Sequence, residues 1–183
     1  MIISKTFFDD TTINLAKKLL GCTLCRKNDS GEIFRGKIVE TEAYCEDDPA
    51  SHSFCGKTKR SSTMFKSSGI AYVYMTYGMY HCVNVVTEKE GIGCAVLIRA
   101  LEPMSDNITL KTKGPGLLCK AFNITKELNE VNLLDKNSPL WLEYANFPIN
   151  ENEIVTTTRI GIKKAVDYPW RFYIRDNKFV SKK

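Results

Sequence analysis

The sequence is poor in the features that most quickly assign a chain to a class. Histidine occurs only at positions 52 and 81 among 183 residues. No apolar run approaches the roughly 20 residues that a membrane-spanning helix needs. The 11 glycines form neither a G-x-G-x-x-G nor a P-loop pattern, which removes the common nucleotide-cofactor sites. Cysteines number seven, and only Cys22 and Cys25 have a metal-like spacing. That pair reads as strand, where positions three apart point to opposite faces, and no second pair of the kind exists. No metal site is therefore expected. Met1 to Phe8 is too short an apolar stretch for a secretory signal, and Asp9 and Asp10 follow it at once. The expectation is a reducing compartment with free thiols.

What is present is globular. Hydrophobic residues make up 43% of the chain and charged residues 26%, enough to close one core, and a single domain over 1–183 is expected. The net charge of +5 permits a nucleic-acid partner, but from charge alone a slightly basic solvated surface is the favoured reading. Asp10 can cap a helix running from Thr11 to Leu20, with Gly21 as its stop. Thr23 to Lys27 and Ile33 to Tyr44 flank Asn28-Asp29-Ser30-Gly31, a strand–turn–strand signal. Residues 45–70 read as a long polar surface loop, of the kind that is usually functional or disordered. Strands follow at Ala71 to Thr76, Tyr80 to Val86 and Cys94 to Leu101. A helix is expected over Gly116 to Phe122, loops over 127–153, and strands over Arg159 to Lys163 and Arg171 to Ile174. Strands in hairpin succession with few helices predict an α+β domain built on an antiparallel sheet.

Four places carry possible chemistry. Alternation puts Ile38, Glu40, Glu42 and Tyr44 on one strand face, so two carboxylates and a ring share it. Such a pair is suited to acid–base work, although an exposed edge strand carrying solubilising charges has the same pattern. Tyr72, Tyr74, Tyr77 and Tyr80 cluster about a tight turn. Tyr72 and Tyr80 fit a core role, whereas Tyr77 at the tip is exposed and suits a wedge between base pairs. His52 lies in the long loop; His81 points away from the Tyr80 face and reads as structural or surface. Arg99 sits inside an apolar strand, where it must be ion-paired or must reach a phosphate or a catalytic water.

At these residues the sequence resembles the alkyladenine, or 3-methyladenine, DNA glycosylase family. The matching blocks are Phe7-Phe8-Asp9 with Leu15-Ala16 to Gly21, Arg35 to Tyr44, Ala50-Ser51-His52-Ser53, Tyr72 to Asn84 and Val96 to Pro103. Gly114-Pro115 with Leu118-Cys119, Arg159 to Ile162 and Arg171 to Arg175 complete them, in order along nearly the whole chain. The resemblance implies a curved, open barrel-like antiparallel sheet with flanking helices and a protruding hairpin. It implies a monofunctional enzyme that flips damaged purines from double-stranded DNA and hydrolyses the glycosidic bond without cofactor or metal. Glu42 would be the general base, with Arg99 holding the backbone and the water beside it. Tyr44, His52, Tyr74 and Asn84 would bind the base, and Tyr77 would fill the gap left in the duplex. Lys57, Lys59, Arg60, Lys66, Arg171 and Arg175 are the candidates for phosphate contacts. The expected protein is a monomer away from membranes, in the cytoplasm or nucleoid of a bacterium or the nucleus of a eukaryote. Departures from vertebrate members are a segment between Tyr44 and His52 one residue shorter, His at position 81 where those have an aromatic, and a poorly matching stretch at 127–153. Two other readings remain open from the residues alone. One is a non-catalytic module that stacks bases on the tyrosine hairpin; the other is a hydrolase of free nucleosides using Glu40 and Glu42.

Overall fold

A computed structural model describes residues 1–182. Its centre is a curved antiparallel sheet of eight strands that curls into an open half-barrel, with two helices packed on it. In chain order these are α1 (Thr12–Lys18), β1 (Thr23–Lys27), β2 (Ile33–Tyr44), β3 (Ala71–Thr76), β4 (Tyr80–Val86), β5 (Ala95–Pro103), α2 (Pro115–Ala121), β6 (Leu140–Glu143), β7 (Ile154–Thr157) and β8 (Arg171–Ile174). The main path runs β3-β4-β5-β2-β1-β6, and β8 joins β2 and pairs in turn with β7. The α+β class and the hairpin succession expected from the sequence are what the fold shows.

The 12-residue strand β2 organises the molecule. One edge pairs with β5 along most of its length. The other pairs with β1 through its first half and with β8 through Glu40–Glu42. Every residue from Ile38 to Ala43 is buried, so the edge-strand reading of the two glutamates does not hold. Simple alternation also fails here. Ile38 faces Leu101, Glu40 faces Ala100 and Thr41 faces Ile98, which leaves Val39 extra on β2 and Arg99 extra on β5. A bulge of this kind re-aims side chains and is common beside active sites. Ile38 and Val39 both pack into the core, while the bulged Arg99 turns to Glu40 and Glu42.

Several local expectations need correction. Thr11, not Asp10, caps α1: its side chain accepts from the Asn14 amide, while Asp10 accepts from the Thr11 amide and the Asn14 side chain. The helix is shorter than the expected Thr11–Leu20 span. Gly21, at φ 86°, makes the left-handed turn that ends this segment. The 45–70 segment is not a simple surface loop. Asp48, Ser53, Ser61, Thr63, Met64 and Phe65 are buried, and Ser62–Phe65 form a 3-10 turn. Within 127–153 the chain adds β6 to the sheet beyond β1, a short strand the sequence pattern did not reveal. Residues 159–163 are irregular rather than a strand, and the strand in that region is β7, five residues earlier.

The helices seat where the sheet gives them room. Leu15, Ala16 and Leu19 of α1 and its C-terminal turn are fully buried in the core. Phe122, just past α2, is also fully buried; a Cβ at Gly36 would lie 2.8 Å from its ring, so the glycine in β2 is what lets that ring approach the sheet. No helix among the described residues is long and apolar enough to cross a membrane.

Candidate active site

A cleft of about 790 Å³ opens between the β3–β4 hairpin, the 45–70 segment, the start of α2 and residues 160–164. Tyr44, His52, Tyr74, Tyr77, Asn84 and Arg99 all line it, from five separate stretches of chain. Glu42 is completely buried beneath. The Tyr44 hydroxyl donates to its Oε2 at 2.8 Å, and the Ile160 amide donates to its Oε1 at 2.8 Å. Arg99 pairs with the same Oε1 at 3.2 Å. An ionised carboxylate offers about four acceptor positions. Three are addressed, two on Oε1 and one on Oε2, and all three partners line the cleft.

Glu40 is differently employed. It receives Arg99 Nε at 2.9 Å, Arg171 Nε at 2.7 Å, and the amide and hydroxyl of Ser181 at 2.7 and 2.9 Å. Burial works against its charge, but Arg99, Ser181 and Arg171 outweigh that and hold its pKa below the ordinary carboxylate value. Arg99 is correspondingly raised: burial opposes its charge and the two glutamates overcome it. The two carboxylates are therefore not a mutually opposed pair sharing a proton. Arg99 links them, bonding Glu40 through Nε and reaching Glu42 Oε1 at 3.2 Å, and Glu40 alone is tied to a second arginine, Arg171.

The aromatic walls are packed against one another. His52 Nδ1 lies 2.9 Å from the Tyr72 hydroxyl, and its ring meets Tyr74 edge-on at 4.6 Å. Burial, with Arg60 nearby, pushes the His52 pKa down to about 4, so the ring is neutral at pH 7. Burial and Glu42 raise the Tyr44 hydroxyl far above a free phenol, which keeps it a donor. Tyr74 is raised by burial and then by Cys82, whose thiol also lines the cleft. Asn84 stands opposite Tyr72 across the β3–β4 ladder, and its amide nitrogen donates to the Tyr72 carbonyl at 2.9 Å. At the hairpin tip Tyr77 is 87% exposed. It holds φ 51° and Gly78 holds φ 69°, so a bulky side chain is carried in a left-handed conformation. Tyr80, expected in the core, is half-exposed instead and packs its ring on Gly116 of α2.

The cation candidates separate. Arg171 is buried, and Glu40 and the Lys182 carbonyl take up its guanidinium, so it faces inward rather than towards a ligand. Lys66 is bound to Glu130 at 2.5 Å. Arg60 reaches into the cleft, 5.5 Å from the Tyr74 ring centre. Lys57, Lys59 and Arg175 are exposed. Sequence reasoning missed Ile160, whose contribution is a backbone amide, and the exposed pair Lys163 and Lys164, which line the cleft mouth. Two adjacent lysines directly after the Arg159–Ile162 block were the available signal. No cluster of three or more His, Cys, Asp or Glu among the described residues is arranged to hold a metal ion.

Comparison with known proteins identifies the family. The model of the methylpurine-DNA glycosylase family matches residues 6–178. Proteins named "Putative 3-methyladenine DNA glycosylase" are similar in Francisella tularensis subsp. tularensis strain WY96-3418 (54% identical, 94% of each chain) and in Clostridium botulinum strain Alaska E43 (45%, the whole of both chains). One from Herpetosiphon aurantiacus is 41% identical over 98% of this chain and 88% of its own. The chain belongs to the methylpurine-DNA glycosylase family. It is thereby placed among the DNA glycosylases, hydrolases of DNA repair.

Proposed function

We propose that this protein removes alkylated or deaminated purines from duplex DNA: 3-methyladenine, 7-methylguanine, hypoxanthine and ethenoadenine. The observation that carries the reading is a buried carboxylate, Glu42, held by Tyr44, Ile160 and Arg99 at the foot of a cleft walled by tyrosine rings. A base within a duplex hides its glycosidic bond, so the nucleotide must turn out of the stack at a cost of a few kcal/mol. Stacking on aromatic rings returns roughly 1–3 kcal/mol per base. Tyr44 and Tyr74 supply those rings, with His52 beside them, while the exposed Tyr77 fills the vacated space. Asn84 narrows the pocket against the exocyclic amino group of normal guanine.

Alkylated purines carry positive charge, are drawn to the tyrosine faces and depart readily. Neutral lesions need protonation or strong hydrogen bonds as they leave. Glu42 takes a proton from the attacking water and stabilises the positive charge that develops on the sugar; assistance of this kind is worth about 10²–10⁴-fold. Arg99, tied to Glu40, keeps Glu42 in place. No lysine serves as nucleophile in this scheme, so the product is an abasic site in an unbroken strand, and borohydride should trap no enzyme–DNA adduct.

The test is single-turnover release of base from duplexes carrying one hypoxanthine, one ethenoadenine or one 3-methyladenine, with alkali to reveal abasic sites. Wild type should release base. Glu42→Gln should lose at least about 100-fold in rate while still binding the duplex. No release by wild type from any of the three would overturn the reading.

A further inference from the structure

Arg159 is a buried, ion-paired arginine beside the site to which the proposed mechanism gives no task. Its side chain is completely buried, and Asp48, equally buried, grips both its terminal nitrogens. The Arg159 guanidinium also donates to the Ala43 carbonyl at 3.0 Å. Its Nε has no hydrogen-bond partner among the described residues. Burying such a pair is expensive, and a well-packed apolar cluster of the same volume usually stabilises a fold at least as well. The residue therefore calls for an explanation other than stability.

Its surroundings supply one. The guanidinium lies between two rings, 4.7 Å from the Tyr44 ring centre and 5.2 Å from that of Trp170. Tyr44 in turn donates to Glu42, and Ile160, the residue after Arg159, donates its amide to the other oxygen of Glu42. Asp48 orders the turn that leads to His52: its carboxylate accepts from the Ala50 amide at 2.9 Å and its carbonyl from the Ser51 amide at 2.8 Å. Three chain segments that build the cleft are thus tied together at one guanidinium.

We infer that Arg159 is a positioning residue, which acts through Tyr44 by holding that ring from behind in the pose needed to stack a flipped base and to bond Glu42. The inference rests on the proposed function. A ring in contact with a reacting base tolerates little play, since misplacement by about 1 Å can cost on the order of 100-fold in rate. Lysine in place of Arg159 keeps the charge but loses the planar, two-nitrogen grip on Asp48 and the stacked surface.

The experiment is a double-mutant cycle with Arg159→Lys and Tyr44→Ala, read as single-turnover base release against enzyme concentration on an ethenoadenine duplex. Thermal melts accompany each variant. Alone, Arg159→Lys should lower the maximal rate roughly 10–100-fold and shift the half-saturating concentration less than about 3-fold. In the Tyr44→Ala background the same change should cost under about 3-fold, because the ring it steadies is gone. Arginine at 159 acting only on folding would give equal losses in both backgrounds, or a loss confined to the half-saturating concentration; either result overturns the inference. If Arg159→Lys shows no cooperative melt, Asp48→Asn replaces it in the cycle under the same two criteria. Absence of release by wild type would instead fault the proposed function, and is read from the same plates.

Discussion

At the residue scale the site is a problem in keeping charges where they belong. Glu40 and Glu42 are two positions apart, both fully buried, yet their neighbours give them opposite tasks. Glu40 is held by two arginines and Ser181, whereas the partners of Glu42 are Tyr44, Ile160 and Arg99, all of which line the cleft. His52 shows the converse, a group kept uncharged by its surroundings. With its folded pKa near 4 and an unfolded value of about 6.5, the unfolded chain binds more protons than the folded one between those limits. Its contribution to stability is therefore complete above pH 6.5 and is lost as pH falls through about 4. Thermal melts of wild type should drop steadily from pH 6.5 to 4, and His52→Gln should flatten that part of the curve. Equal slopes for the two proteins would show that His52 is not held neutral by its half-buried surroundings. Glu40, also depressed, adds acid sensitivity of the same sign in both proteins and leaves the comparison intact.

At the scale of elements, the hairpin tip combines backbone strain with an exposed ring. Tyr77 occupies a left-handed conformation that a β-carbon resists by roughly 1–2 kcal/mol, and 87% of its surface is exposed. Asparagine accepts that conformation more easily. Tyr77→Asn should thus melt no lower than wild type, and up to about 1 kcal/mol more stable, while losing base release at limiting enzyme; a loss of stability would mean that the ring packs against something after all. The hairpin was legible in the sequence because Tyr77-Gly78 and the flanking alternation are local signals. So were β1, β2, β3, β4 and β8, whose residues match their expected spans. What escaped was not local. The double bulge between β2 and β5 depends on which residues of two distant strands meet, and period-two reasoning about Ile38 to Tyr44 has no access to it. Arg159 to Lys163 has the composition of a strand, but the pull of Asp48 on Arg159 and of Glu42 on the Ile160 amide draws it off the sheet. Arg171 read as a surface cation for the same reason: its partner Glu40 is 131 positions away.

At the scale of the whole molecule, a net charge of +5 sets the strength of attraction to DNA only through the charges that face it. Each phosphate neutralised contributes about −0.9 to the slope of log K against log salt, so about five contacts give a slope near −4 to −5. The cleft mouth carries Lys163, Lys164 and Arg60, while Arg171 is sealed in the interior. Replacing Lys163 and Lys164 together by glutamine should reduce the magnitude of the slope by about 2 with little change in melting temperature. Arg171→Met should do the reverse. It strips Glu40, a buried anion, of one of its partners at a cost on the order of 3 kcal/mol, and a chain of this length loses about 2–4 °C per kcal/mol. Yet its salt slope should equal that of wild type. Titrations of a fluorescent lesion duplex from 50 to 200 mM salt, roughly the range over which such contacts weaken most, measure both slopes. A shallower slope for Arg171→Met would mean that the C-terminal tail over Glu40 opens in the DNA complex and releases that arginine to the backbone.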